Sequence, residues 1–248
     1  MAQFPQDLGD SGAGTVVAFG PGVERRSVGD KVFGFFFHNE EKGQQVSVTA
    51  PEHLFGRTPE GVSLAAAATL PTNFTTAFYT LPDKFGLSLT SPRFEEFSSG
   101  DDRHTDPHLG RRQLQTESPS VLVRAFDCLA SKFGSLQHIA QFASLPGSVV
   151  AAVLPVVIRA PSDKEGIHLS ADVAGEAPWA SGVEVHSVVS YAYEANAFWK
   201  DHLQPDIVLA LLTSGAIEPN KYQVIEGDSL LQRASTAMDT LRSGTVSS

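Results

Sequence analysis

The chain has 248 residues, 42% of them hydrophobic, which suits one or two globular domains with a sizeable core. Its 18 basic and 28 acidic residues leave a net charge of −10. That argues against a nucleic-acid partner, whose phosphates require clustered Lys and Arg. No run of about 18 apolar residues marks a membrane span. The opening MAQFPQDLGD has neither the basic region nor the apolar core of a secretory signal. One cysteine, Cys128, forbids an internal disulfide and fits a reducing, cytoplasmic setting. The expected partner is a small molecule.

In chain order, Val16, Val17 and Phe19 form a β-prone run that Gly20-Pro21-Gly22 breaks, and Gly29-Asp30 introduces a second run from Val32 to Phe37. Gly12-Ala13-Gly14 invites a dinucleotide reading. These glycines precede a strand, lack a third glycine and open no helix, so the motif is a decoy. His38 and Asn39 read as a solvated turn or the border of a cleft. Val46 and Val48 read as a further strand, and His53 as part of a surface turn. Leu64 to Leu81, LAAAATLPTNFTTAFYTL, begins with four alanines that favour a helix, and Pro71 would break it. The expectation is helix, turn, second helix, with Thr72 or Asn73 as the second cap. Two readings stand: a tightly packed helical hairpin, or a helix whose hydroxyls face a ligand.

The run A-A-A-A-T-L-P followed by T-T-A-F resembles the AAxLP…TA segment of the medium-chain dehydrogenase/reductase superfamily. GDSGAGTVVAFGPGV…VGDKVFGF is similar to a segment of that superfamily's GroES-like catalytic domain. In the zinc alcohol dehydrogenases the segment begins Gly-His-Glu, whereas here Asp10 and Ser11 follow Gly9. A structural zinc lobe would need four clustered cysteines. The resemblance therefore implies a zinc-independent member, of the quinone reductase or fungal trans-acting enoyl reductase kind, with no metal.

Residues 93–118 are polar and rich in turn formers, and read as a flexible loop. His104, Asp106 and His108 fall there, with Pro107 disfavouring a helix that would carry both histidines; a solvated loop is favoured over a metal site. No glycine-rich phosphate loop follows a strand anywhere in the chain. The expectation from the resemblance is that the family's opening strands and first nucleotide-binding βαβ unit are absent. VLVRAFDCLA then reads as a strand, with Cys128 as a small core hydrophobe. Gly134 to Ala143 reads as a helix with Leu136, Ile139, Ala140 and Ala143 on one face. SVVAAVLPV is uniformly apolar, as in a buried parallel strand. Residues 160–182 read as a polar connection and Val183 to Val189 as a strand.

The segment from Tyr191 to Ser248 resembles the ending of the fungal enoyl reductases. Phe198, Trp199, Leu203, Ile207, Leu211 and Leu212 form the apolar stripe of one helix, with Gly215 as its C-terminal glycine and Pro219 as a stop. Leu230, Leu231, Ala234, Met238 and Leu241 form another stripe. Where the family has Gly-Gly-Leu beside the cofactor, this chain has Gly227-Asp228-Ser229, and Asp228 brings a negative charge.

The expected fold is α/β: a GroES-like β portion (1–88 and 215–248), a loop (89–120) and a truncated Rossmann-type parallel sheet with helices (121–214). The resemblance implies an NADPH-dependent reductase of an activated C=C bond, acting on a polyketide-derived small molecule, with a synthase or a second copy as protein partner. Thr76 would donate to the nicotinamide carboxamide or the substrate carbonyl. Thr72, Asn73 and Tyr79 are further catalytic candidates, and Thr76, Pro155 and Gly227 would border the cofactor. Without a phosphate loop, the alternative is a cofactor-independent isomerase or cyclase, a non-catalytic binding protein, or a decayed paralogue.

Overall fold

The computed structural model describes residues 9–38, 41–87, 122–160 and 165–243. Its chain forms two compact units, Met1–Thr75 with Tyr191–Ser248, and Thr76–Ser190. Residues 191–214, drawn with the parallel sheet from sequence, cluster with the N-terminal unit.

In the first unit, β1 (Ser11–Thr15), β2 (Lys31–Phe35) and β3 (Phe55–Arg57) form an antiparallel sheet in that order. Glycines let the ring of Phe36, the residue after β2, lie close against it. A Cβ at Gly12 would meet the Phe36 ring at 2.9 Å, and one at Gly34 would meet it at 2.5 Å. The first strand thus begins earlier than its β-branched run suggests. Pairing reaches Val16, whose N–H donates to the Asp30 carbonyl at 2.9 Å, while Val17 and Phe19 are exposed. Val46 and Val48 form no strand, and Val46 is 91% exposed. Alternation alone misleads where no partner edge is offered.

Helix α1 (Leu64–Ala67) is capped by Ser63, whose Oγ accepts from Ala66 N at 3.1 Å. Pro71 opens α2 (Pro71–Phe85), the position where its missing N–H costs nothing. Thr72 and Asn73 therefore lie inside the first turn instead of capping it. The Thr72 amide is satisfied by Ser11 Oγ at 3.1 Å, a cap borrowed from β1. Phe33, Ala67, Leu70, Val208 and Leu212 make the core of this unit.

The C-terminal helical stretch is continuous but not uniform. Its α4 (Ala197–His202) passes into a π-type turn, Leu203–Val208, and then α5 (Leu209–Thr213). Gly215 takes φ of 70°, and Ala216 N–H bonds the Leu211 carbonyl at 2.9 Å, a left-handed stop that glycine adopts without strain. The last helix, α6 (Leu230–Ser243), begins at Ser229, whose Oγ accepts from Gln232 N at 3.1 Å. No residue of α6 is buried, and Leu231 and Leu241 are largely exposed, so its apolar stripe is not core.

The second unit is organised on parallel strands β4 (Arg124–Asp127), β5 (Val149–Val153) and β8 (Glu184–Val188), with β5 central. Val150, Ala151 and Ala152 are fully buried, which explains the unbroken apolar run. Helix α3 (Ser135–Phe142) packs through Leu136 and Ala140. The connection 160–182 contains more order than its polarity suggests. There β7 (His168–Ser170) pairs antiparallel with β6 (Val156–Arg159).

Candidate functional site at the carboxyl ends of the parallel strands

Open parallel sheets bind ligands beyond the carboxyl ends of their strands, where the strand-to-helix turns present backbone and side-chain donors. Here that edge is defined by Asp127, Val153 and Val188. Ser190 stands two residues beyond β8, half-buried. Thr76, on α2, is 8% exposed and its Oγ1 donates to Ser190 Oγ at 2.7 Å. One turn along, Thr80 Oγ1 donates to the Thr76 carbonyl at 2.6 Å, the usual back-bond of a helical threonine.

Tyr79 and Pro155 are the other sequence candidates in this unit. The Tyr79 hydroxyl is pushed up to about 12, first by burial and then by Asp83, to which it is hydrogen-bonded. It stays protonated at neutral pH. Pro155 follows β5 and is exposed. Cys128 is exposed, not a core residue; partial burial first, and Asp127 second, raise its thiol above the ordinary value.

Thr72, Asn73 and Gly227 belong to the first unit. Thr72 is engaged with Ser11, their hydroxyl oxygens 2.6 Å apart. Asn73 and Gly227 are exposed. Gly227 precedes α6, where Asp228 N–H donates to Gln232 Oε1 at 2.8 Å. Of the six residues singled out from sequence, Thr76 is the one found in a built polar contact at the sheet edge. Its partner, Ser190, was missed. The available signal was modest: a hydroxyl residue immediately after an alternating strand.

The first unit also holds features that the sequence did not suggest. His53 is not a free surface residue: its Nε2 lies 2.5 Å from Glu194 Oε1, and His38 Nε2 lies 3.7 Å from Glu194 Oε2. Asn39 lies outside the described residues, as do His104, Asp106, His108 and the proposed loop 89–120. A cavity of about 290 Å³ opens beside β1, walled by Val32, Phe36, Val48 and Phe55 with Arg26 and Glu52. Burial, then the neighbouring Arg25, holds Arg26 below its ordinary value. None of the six sequence candidates lines this cavity.

The described residues fit one end of a nicotinamide dinucleotide and not the other. The Thr76–Ser190 hydroxyls suit a carboxamide. The turn after β4, however, is closed by its own carboxylate. Asp127 Oδ1 accepts from the N–H groups of Leu129 (2.9 Å) and Ala130 (3.1 Å), and Oδ2 from Ser135 Oγ (2.7 Å). Those two amides are taken and are not free to bind an anion. Among the described residues no group of three or more His, Cys, Asp or Glu could hold a metal ion, and no helix is long and apolar enough to cross a membrane.

Comparison with models of protein families finds no match. Among curated proteins, the chain is 39% identical over 90 residues to erythronolide synthase EryA2 of Saccharopolyspora erythraea, and 46% identical over 81 residues to mycoketide-CoA synthase of Mycobacterium tuberculosis. These matches cover 35% and 32% of the chain, and 2% of either synthase. A zinc-type alcohol dehydrogenase-like protein of Staphylococcus aureus is 33% identical over 99 residues, 40% of this chain and 29% of that one.

Solved structures match nearly the whole chain. The enoyl reductase CurK aligns with TM-score 0.61 and 14% identity over 95% of this chain and 76% of its own. The enoyl reductase JamJ gives 0.55 and 11% identity over 98% and 77%. A zinc-dependent alcohol dehydrogenase protein from Rhizobium etli, so assigned only provisionally, gives 0.52 and 17% over 97% and 79%. With an antiparallel β unit and a parallel sheet flanked by helices, the chain carries the fold of the medium-chain dehydrogenase/reductase superfamily.

Proposed function

We propose that this chain is a reductase-type protein of polyketide metabolism that takes a small molecule with an activated C=C bond, an α,β-unsaturated acyl thioester being the fitting class. The observation that carries the reading is the Thr76–Ser190 hydroxyl pair at the carboxyl end of β8, in a fold shared with the enoyl reductases CurK and JamJ. Adding a nucleophile to the β-carbon of such a substrate leaves negative charge on the carbonyl oxygen. A preorganised hydroxyl there lowers the barrier because it needs no reorientation as charge develops. NADPH, when bound, would supply the hydride. Tyr79, protonated and tied to Asp83, is a poor base and instead helps hold this face of α2.

A second reading is favoured by Asp127, whose carboxylate takes up the Leu129 and Ala130 amides of the turn after β4, so that this strand-to-helix turn offers them to no anion. It is cofactor-independent chemistry, an isomerisation or cyclisation, at the same hydroxyl pair. Calorimetric titration of the purified chain with NADPH, followed by assay with crotonyl-N-acetylcysteamine, tests the choice. Saturable binding with loss of NADPH absorbance supports the reductase. A folded chain that does not bind NADPH up to millimolar concentration removes that reading and leaves the cofactor-free one.

A further inference from the structure

We infer that Ser190, not Thr76, presents the hydroxyl proton to the carbonyl oxygen of a ligand, with Thr76 as the residue that positions it. The proposed function enters only through the class of ligand. A hydroxyl has one proton and two lone pairs. Thr76 directs its proton to Ser190 Oγ at 2.7 Å, and Thr80 directs its own to the Thr76 carbonyl at 2.6 Å. Ser190 is thus the acceptor in its contact with Thr76 and keeps its proton, for which the described residues offer no acceptor. It is also the more open of the two, half-buried where Thr76 is 8% exposed.

Two effects strengthen the assignment. A hydroxyl that accepts a hydrogen bond becomes a better donor, because the chain of dipoles is polarised in one direction. Ser190 also follows β8, whose end at Val188 is 2% exposed, so its backbone is anchored by the sheet. The recognised group is a carbonyl oxygen, either the thioester carbonyl of an unsaturated acyl substrate or the carboxamide of nicotinamide.

The test uses the full chain and its Ser190→Ala, Ser190→Thr and Thr76→Val variants, each checked for a cooperative melt. The probes are crotonyl-N-acetylcysteamine with an isotope-labelled carbonyl, read by infrared difference spectroscopy, and NADPH, read by calorimetry. The expected result is a carbonyl stretch lowered on binding to the native chain, not lowered in Ser190→Ala and lowered again in Ser190→Thr. Thr76→Val should weaken the shift without abolishing it. Where turnover is measurable, Ser190→Ala should cost roughly tenfold to a hundredfold in kcat/KM, in line with loss of one oxyanion donor. Weaker NADPH binding in Ser190→Ala, with the thioester shift kept, would assign the same proton to the carboxamide.

A shift lost in Thr76→Val but kept in Ser190→Ala overturns the inference. So does a native chain that reduces the thioester at a rate that Ser190→Ala does not change, while the proposed function survives. A native chain that binds neither probe overturns both.

Discussion

Gln204 and Thr75 meet although 129 positions separate them: Gln204 Nε2 donates to Thr75 Oγ1 at 2.7 Å, and both side chains are fully buried. The contact fastens the π-type turn to the start of α2 within the first unit. Gln204 Oε1 has no partner among the described residues. Truncation to alanine removes the bond and opens a cavity. Gln204→Ala should therefore destabilise the chain by about 2–4 kcal/mol, measured by urea unfolding. The double change Gln204→Met with Thr75→Val should recover much of that loss, because both polar partners are then replaced by apolar groups of similar shape.

Gly56 is fixed by what lies over it. A Cβ there would be 2.5 Å from the Gln204 carbonyl oxygen and 2.3 Å from the Phe33 ring. Gly56→Ala should cost about 3 kcal/mol as overpacking, read as a lowered melting temperature. A neutral result would show that β3 can move away from the π-type turn.

The Tyr79 hydroxyl ionises near 12, above its ordinary 10.0. Because the folded value is raised, its stabilising contribution is complete below pH 10 and is lost as pH climbs towards 12. Ultraviolet titration should show two tyrosines ionising late, Tyr79 and also Tyr193, which is raised first by burial and then by Glu194, and Asp83→Asn should bring Tyr79 down by removing the nearby charge. If both late transitions stay unchanged in that variant, burial alone and not Asp83 holds the Tyr79 proton.

Cys128 should react with a thiol reagent in the native state, since it is exposed. Its rate should climb with pH through a midpoint above the ordinary thiol value, owing first to partial burial and then to Asp127. A midpoint at the ordinary value would mean that the turn after β4 is open in solution, with the thiol solvated and away from Asp127.

Thr76→Val keeps the shape of the side chain and removes its donor. Loss of the bond to Ser190 should cost about 1 kcal/mol of stability by chemical denaturation. Affinity or turnover with an unsaturated thioester should fall several-fold. Full retention of both would remove Thr76 from the site.

Features set by a single residue were legible in the sequence. Pro71 separates two helices and Gly215 closes one because ring closure and a missing Cβ act locally, although Pro71 itself starting the second helix was not read. The apolar run around β5 was legible for the same reason, as composition alone identifies a strand buried on both faces. Interactions between distant residues were not. Ser11 capping Thr72, Glu194 holding His53 and Ser190 receiving Thr76 each join side chains more than sixty positions apart. The strands expected at Val17–Phe19 and Val46–Val48 failed because β-propensity reports a wish for a neighbouring edge, not its presence. Thr76 was found through resemblance; the residue it serves needed coordinates.

The bare leucines of α6 bear on how the protein melts. With no buried residue, its 14-residue length leans chiefly on local terms, the Ser229 cap and the i→i+4 ladder. Such a segment lies near the length at which isolated helices are marginal in water. Its amides should exchange with solvent within the dead time of a labelling experiment, while those of Val150 and Ala151 wait for the sheet to open. Heating should accordingly bleed away part of the helical signal in a shallow slope well before the cooperative transition, so that far-ultraviolet and aromatic probes report different midpoints for one chain.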